Sequence, residues 1–345
     1  MEKLDIHTGS HHSSILLGES VLNLHRYLPH QRVIVITDTM VDRLYGDKYE
    51  SFRRIVIQPG EKHKALASVE QVIAQLVELQ ADRSTFILGV GGGIVCDLAG
   101  FVASIYMRGL PFGFVSTTLL SQVDASVGGK NGVNFQSFKN MVGVFRQPEF
   151  VLCDYTLMRT LDPAEYKAGL AEVIKAAAIK DATLFDYISN SVEAIFQQDP
   201  DTLHRLVKGA VSIKAAIVQA DELEKGERKI LNFGHTFGHA IEKLTGIIHG
   251  EAVSIGMVMA SVMSARLGFL KKEQAAELAD LLKRCGLPVN IPVPAAQLLD
   301  AMRKDKKRED DRIHFVLLDR IGLARIHPVS LKEIETLIHD LYLPV

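Results

Sequence analysis

At 345 residues, 47% hydrophobic and 23% charged, the chain exceeds one comfortable core and has the composition of an ordinary globular protein, so two domains are expected. A formal net charge of -2 excludes the broad positive field of a general nucleic-acid or membrane-surface binder. Three scattered cysteines (Cys96, Cys153, Cys285), a first segment without an apolar signal core and the lack of any membrane-length apolar run lead us to expect a cytoplasmic protein without disulfides.

The first half alternates strand and helix patterns. Val33 to Thr37 is a β-branched run ending at Asp38, and Ile55 to Ile57 is another, closed by Pro59-Gly60. Ser68 with Gln71 reads as a capping box opening an amphipathic helix through Val69, Val72, Ile73, Leu76 and Val77. Thr85 to Val90 is a buried strand leading into Gly91-Gly92-Gly93. Phe112 to Val115 and Phe150 to Cys153 continue the series. Strands separated by helices predict a mostly parallel sheet covered on both faces.

Beyond Tyr155 the pattern turns helical. Asp162-Pro163-Ala164-Glu165 is a helix start with cap, proline and acidic third residue, and helix is predicted for nearly everything to about Leu287. Ile313 to Leu318 reads as a short strand paired with Ala324 to Ile326, and Ser330 to Glu333 caps a last helix. The charged run from Arg303 to Arg312 reads as a loop, either a solvated surface or a functional one. The predicted plan is a Rossmann-like α/β nucleotide-binding domain over 1–155 and an all-α metal- and substrate-binding domain over 156–345. Chemistry is expected in the cleft between them.

The glycine triplet follows a strand and opens a helix, so its amides and the helix N-terminus suit a pyrophosphate. It is not G-x-G-x-x-G, and a lone glycine triplet is more often a tight turn than a cofactor site. Asp97, Asp38 and the hydroxyls of Thr117 and Thr118 are candidates for the rest of a dinucleotide. Downstream, His235, His239 and His249 fall within fifteen residues. Spacing alone selects His235 and His239, four apart, as ligands of a divalent cation. Thr236 stands where H-E-x-x-H needs its glutamate, which argues against a peptidase. Glu172 lies among alanines, where a carboxylate needs a cation or a lysine such as Lys175 or Lys180. Arg108, Lys130, Lys139, Lys175, Lys214, Arg228 and Lys306 form a cationic set suited to a phosphate and a carboxylate, though each alone reads as a surface charge. Asp124 adds a hydroxyl binder or a helix cap.

Gly91-Gly92-Gly93 with Asp97, Ser116 to Asp124, Val127-Gly128-Gly129-Lys130, Lys139-Asn140, Leu170 to Lys175 and Asn232 to His239 resemble, in order, the 3-dehydroquinate synthase family of the sugar phosphate cyclases. The resemblance runs from about Asp38 to Lys307. It implies NAD, one divalent metal ion (zinc or cobalt), a sugar acid phosphate substrate and a homodimer with a shared active site. Nucleic acid and membrane are not implied partners. Carried over by position, Glu172, His235 and His249 hold the metal, and His239 becomes a substrate neighbour that moves protons, displacing the choice made by spacing. Asp38, Glu61, Lys64, Gly92, Gly93, Asp97, Thr117, Thr118, Lys130 and Lys139 match cofactor positions. Lys130, Asp124, His239, Asn140, Lys175 and Arg108 match catalytic positions, with Arg108 reaching the partner subunit's phosphate. Lys139, Lys214, Arg228, Asn232 and Lys306 match substrate positions. Cys96 stands where glycine is common, and Met40 where a polar residue is more usual.

The implied reaction converts 3-deoxy-D-arabino-heptulosonate 7-phosphate to 3-dehydroquinate and phosphate. It proceeds by transient oxidation, β-elimination, re-reduction and intramolecular aldol closure, a lyase reaction of the shikimate pathway. Another sugar phosphate cyclase and a metal-dependent polyol dehydrogenase are the alternatives, followed by a silent binding protein of the same fold.

Overall fold

The computed structural model describes residues 1–9, 11–29, 32–136, 138–303, 308–309 and 312–342. They fall into two compact units: Met1–Leu161 with Lys214–Leu223, and Asp162–Ile213 with Glu224–Val345.

The first unit is built on the uninterrupted apolar runs. Its strands are β1 (Glu2–Thr8), β2 (His11–Leu17), β3 (Val33–Asp38), β4 (Arg53–Ile57), β5 (Phe86–Gly91), β6 (Phe112–Ser116), the pair β7 (Lys130–Phe135) and β8 (Phe138–Phe145), and β9 (Phe150–Cys153). Seven form one sheet in the order β1-β2-β9-β6-β5-β3-β4, parallel except for the edge pair β1–β2. Strands β5, β6 and β9 are buried along their whole length, as parallel strands covered on both faces must be. Register pairs Thr37 with Val90 and Gly91 with Ser116. The residues that follow β3, β5 and β6 therefore emerge side by side at the carboxyl edge of the sheet, where ligands of open parallel sheets bind.

The connecting helices are α1 (Thr39–Tyr45), α2 (Leu66–Glu78) and α3 (Gly93–Ile105). The capping box predicted at Ser68 is not the start of α2. Ala65 is extended and bridges to Asn134, so the helix begins at the next residue without a side-chain cap. The hairpins β1–β2 and β7–β8 lie outside the sequence reading.

The second unit is helical: α4 (Pro163–Lys180), α5 (Ala182–Asn190), α6 (Val192–Phe196), α7 (Pro200–Ala220), α8 (His235–Thr245), α9 (His249–Arg266), α10 (Lys272–Arg284), α11 (Ala295–Arg303) and α12 (Leu331–Leu337). The end of α7 from Lys214 belongs to the first unit. Asp162 caps α4 through the amide of Ala164, with Pro163 at the first helical position. The strand pair expected near the end is present as β11 (Arg312–Arg320) and β12 (Leu323–Ser330), flanked by the short β10 (Arg308–Glu309). Ser330 and Glu333 complete the predicted capping box. No helix among the described residues is long and apolar enough to cross a membrane.

Helix α9 is buried from Ala252 through Ser264, so neighbours must contact it on every side. Glycine makes the contacts possible. A Cβ on Gly256 would lie 1.9 Å from the Gly234 carbonyl oxygen and 2.9 Å from the Gly238 nitrogen, and one on Gly250 would lie 2.3 Å from Ala168 Cα. These obstacles are backbone, which cannot swing aside. Gly256→Ala is therefore expected to cost about 3 kcal/mol or more in urea unfolding, at the upper end of overpacking penalties. Gly246→Ala meets open space and only a left-handed φ of 72°, and should cost about 1 kcal/mol. Equal losses would show that backbone contact does not hold α8 against α9.

Candidate active site

The tight helix contacts converge three donor atoms. Glu172 comes from the middle of α4, while His235 and His249 are the first residues of α8 and α9. Glu172 Oε1 lies 3.7 Å from His235 Nε2 and 3.8 Å from His249 Nε2, and the three ligand atoms lie within 4.8 Å of one another. Donors bound to one cation at about 2.0–2.2 Å in tetrahedral array sit about 3.3–3.6 Å apart, so the two Glu172–histidine separations need contract by only a few tenths of an ångström, and the histidine pair by about 1 Å or slightly more at most, to close the site.

Hydrogen bonding settles which nitrogens face inward. His235 Nδ1 lies 3.1 Å from the Phe233 carbonyl and His249 Nδ1 lies 3.3 Å from Glu242 Oε2. Both partners only accept, so both Nδ1 atoms carry a proton, and each ring when neutral presents its Nε2 lone pair. Burial, then the Lys175 ammonium and the neighbouring His249 and His239, hold His235 well below the ordinary histidine pKa, which keeps it neutral. Glu172 has a side chain only 1% exposed, and its Oε1 accepts no hydrogen bond. Two lone pairs and a carboxylate oxygen facing one another lack the positive charge that makes such a cluster favourable, and a divalent cation supplies it. The donor set fits a zinc-like ion with a position left for substrate.

Lys175, one turn on from Glu172 and 4% exposed, pairs with the other carboxylate oxygen. His239 stands beside the trio, its ring 5.2 Å from that of His235 and 6.0 Å from that of His249. The structure thus groups His235 with His249 and Glu172, not with His239 as the i, i+4 spacing suggests, because α8 and α9 start side by side. Asn232 donates to Glu224 Oε1 at 2.9 Å, and Arg228 is 1% exposed on the same turn. Glu224 and Glu242 were not singled out in the sequence. Glu242 had a signal, since it follows His239 by three residues on one helix, whereas Glu224 had none.

In the α/β unit, Gly92 is the N-cap of α3 and no side chain caps that helix. Its first amides are therefore available to an anion. A Cβ on Gly92 would lie 3.0 Å from Thr118 Cγ2, and one on Gly93 3.0 Å from Ala125 Cβ, so the turn is held tight by packing. Thr117 donates its amide to Gly91 O at 3.0 Å, which places Thr117 and Thr118 beside the glycines. Asp38 caps α1, with Oδ1 accepting from Met40 and Val41 at 2.8 and 2.9 Å. The glycine cradle, uncapped helix start and flanking hydroxyls and carboxylates fit a dinucleotide.

Lys64 is 7% exposed and pairs with Asp97; its ammonium also donates to Asn140 Oδ1 at 2.6 Å. Burial pushes the Asp97 carboxyl above its ordinary range and Lys64 opposes the rise. Lys139 lies 4.0 Å from Glu61. Lys214 donates to the Asp124 carbonyl at 2.6 Å and pairs with its carboxylate. Asp124 sits in a π-turn, Ser121–Ala125, a distortion frequent at functional sites. Lys130 follows the left-handed Gly128 and Gly129 and is exposed. Arg108 is exposed on a turn where Met107, Arg108 and Gly109 have φ of 50°, 71° and 120°. Lys306 lies outside the described residues.

The models of the 3-dehydroquinate synthase N-terminal and C-terminal domains match residues 54–168 and 169–308. A 2-epi-5-epi-valiolone synthase from Streptomyces hygroscopicus subsp. jinggangensis 5008, with NAD+ and Zn2+ bound, is 30% identical, with a TM-score of 0.88 over 97% of this chain and 98% of that one. A 2-deoxy-scyllo-inosose synthase complexed with carbaglucose-6-phosphate, NAD+ and Co2+ is 26% identical, with a TM-score of 0.89 over 98% and 100%. A sulfoacetaldehyde reductase from Bifidobacterium kashiwanohense, 14% identical at a TM-score of 0.69 over 99% and 98%, shares the fold. The two domain matches, in the order that the site requires, and the end-to-end likeness to cyclases establish that the chain belongs to the 3-dehydroquinate synthase family of sugar phosphate cyclases.

Proposed function

We propose that this sugar phosphate cyclase is a 3-dehydroquinate synthase, converting 3-deoxy-D-arabino-heptulosonate 7-phosphate to 3-dehydroquinate and phosphate. The observation that carries the reading is an imidazole, His239, next to a three-donor cation site, with Asn232 a short way upstream. Its cofactors are NAD and one divalent ion, zinc or cobalt, as bound in the relatives. When bound, the ion polarises a substrate hydroxyl and NAD accepts and returns one hydride.

The remaining work falls to side chains. His239 takes and returns the proton of the hydroxyl being oxidised. Asp124, Asn140 and Asn232 hold substrate hydroxyls. Lys130, Lys139, Lys175, Lys214, Arg228 and Lys306 bind the carboxylate and stabilise the charge that develops on the departing phosphate. Glu61, Lys64, Asp97 and the Gly92-Gly93 turn orient the dinucleotide, with Asp38, Thr117 and Thr118 at the same sheet edge. We assign the dinucleotide to 1–155 and the metal to 156–345. The active species in this reading is a homodimer in which Arg108, on its exposed left-handed turn, reaches the partner's phosphate. A second reading, another sugar phosphate cyclase, is favoured by the likeness to deoxyinosose and valiolone synthases.

The purified protein should release phosphate from the heptulosonate phosphate with no net NADH, and a chelator should stop it. Faster turnover of a different sugar phosphate would favour the second reading, and steady NADH from glycerol would favour a polyol dehydrogenase. His249→Ala should lose bound metal and activity together; full metal content in that variant would refute its place among the ligands. Arg108→Ala should weaken phosphate binding. Mixed with His249→Ala subunits it should recover roughly a quarter of wild-type activity, from random pairing that leaves one site intact per mixed dimer. Absence of recovery counts against a shared site.

A further inference from the structure

Five polar residues of the α/β unit form one chain of contacts, Lys139–Glu61–Asn134–Asn140–Lys64, and its centre is a residue that neither the motifs nor the family resemblance singles out. Asn134 is the half-buried penultimate residue of β7. Its Nδ2 donates to Glu61 Oε1 at 2.8 Å and its Oδ1 accepts the Asn140 amide at 2.8 Å. Its own amide donates to the Lys64 carbonyl at 2.8 Å. The orientation of the amide is fixed by its partners, because a carboxylate can only accept and a backbone N–H can only donate. Asn134 also bridges to Ala65, ending the turn that carries Glu61 and Lys64.

We propose that Asn134 is a positioning residue that clamps the β7–β8 hairpin to the 61–65 turn and so sets Glu61, Lys64 and Asn140 for the nicotinamide dinucleotide. The proposal rests on the cofactor reading above. Three observations support it. First, Asn140 has a φ of 50°, a left-handed conformation that a partner can hold, and Asn134 Oδ1 holds it by accepting the Asn140 backbone N–H. Second, that conformation allows the Asn140 side chain to accept from the buried Lys64 ammonium, which is also paired with Asp97. Third, four of the five residues of the chain, Glu61, Lys64, Asn134 and Lys139, line a cleft of about 270 Å³ with Phe138 among others. Asn134 thus sits at the wall of a concave site and ties a substrate-side residue, Asn140, to two cofactor-side residues.

The test is calorimetric titration of NAD into the whole protein, independent of turnover. Asn134→Ala removes both side-chain bonds and should raise the NAD dissociation constant on the order of tenfold. Asn134→Asp keeps the acceptor for Asn140 but sets a carboxylate against Glu61, and should weaken NAD by a similar factor. Combining Asn134→Asp with Glu61→Gln restores the bond with donor and acceptor exchanged. The loss in this double variant should be at least about fivefold smaller than the product of the two single losses. NAD affinity of Asn134→Ala within twofold of wild type, or single losses that simply multiply in the double variant, would overturn the proposal. If Asn134→Ala does not fold, the cycle decides alone. Wild-type protein that binds no NAD overturns the cofactor reading, and this inference with it.

Discussion

The metal-ligand arrangement depends on backbone touching backbone. Helices α4, α8 and α9 each contribute one donor within 4.8 Å of the others, on backbones that here run closer than ordinary side chains permit. Gly250 against Ala168, and Gly256 against Gly234 and Gly238, remove those side chains at the necessary places. The alanine-rich run from Ala168 to Ala178 around Glu172 has the same origin: it is the surface against which α9 can lie flat. The small residues thus account for both the buried helix α9 and the position of its first residue, His249. A methyl group in this seam acts on fold and site together.

That geometry makes the site electrostatically costly before it is useful. Removing a carboxylate from water without donors destabilises a protein by several kcal/mol, and Glu172 is nearly inaccessible. Lys175 compensates on one oxygen. The other oxygen faces two imidazole lone pairs whose orientations are imposed from outside, by the Phe233 carbonyl and by Glu242. The protein spends stability to hold three donors ready for an ion, which is the arrangement expected of a centre used for chemistry rather than for folding.

Much of this was legible because the relevant signals are local. The strands from Val33, Phe86, Phe112 and Phe150 are unbroken apolar runs, and the cap at Asp162 and the capping box at Ser330 are complete within four residues. The glycine turn and the histidine cluster are dense in unusual residue types. The illegible parts depend on contacts between distant segments. Ser68 and Gln71 have the right spacing for a cap, yet α2 starts earlier because Ala65 is drawn into a bridge with Asn134, far along the chain. β1 has only two apolar residues, Leu4 and Ile6, to mark its alternation, and β7–β8 is rich in glycine and polar groups, so neither hairpin stands out as a hydrophobic period. His239 outranks His249 by spacing; the family resemblance reverses that order, and the side-by-side start of α8 and α9 is the physical reason, which no local pattern contains.

Backbone strain gives an independent sign of where function lies. Among the described residues, seven that are not glycine have positive φ: Gln80, Met107, Arg108, Gln136, Asn140, Gln198 and Glu224. Each such residue costs of order 1 kcal/mol, and folding alone has no reason to gather them. Arg108 and Asn140 are among the residues we propose to contact substrate, Met107 shapes the turn that presents Arg108, and Glu224 holds Asn232. Gln136 lies in the short connection of the β7–β8 hairpin, where positive φ is an ordinary turn requirement. Gln80 and Gln198 close helices, the ordinary use of this conformation at a chain reversal. The strain without a structural excuse is therefore concentrated in segments that present polar side chains, as expected where binding, not packing, dictates the backbone.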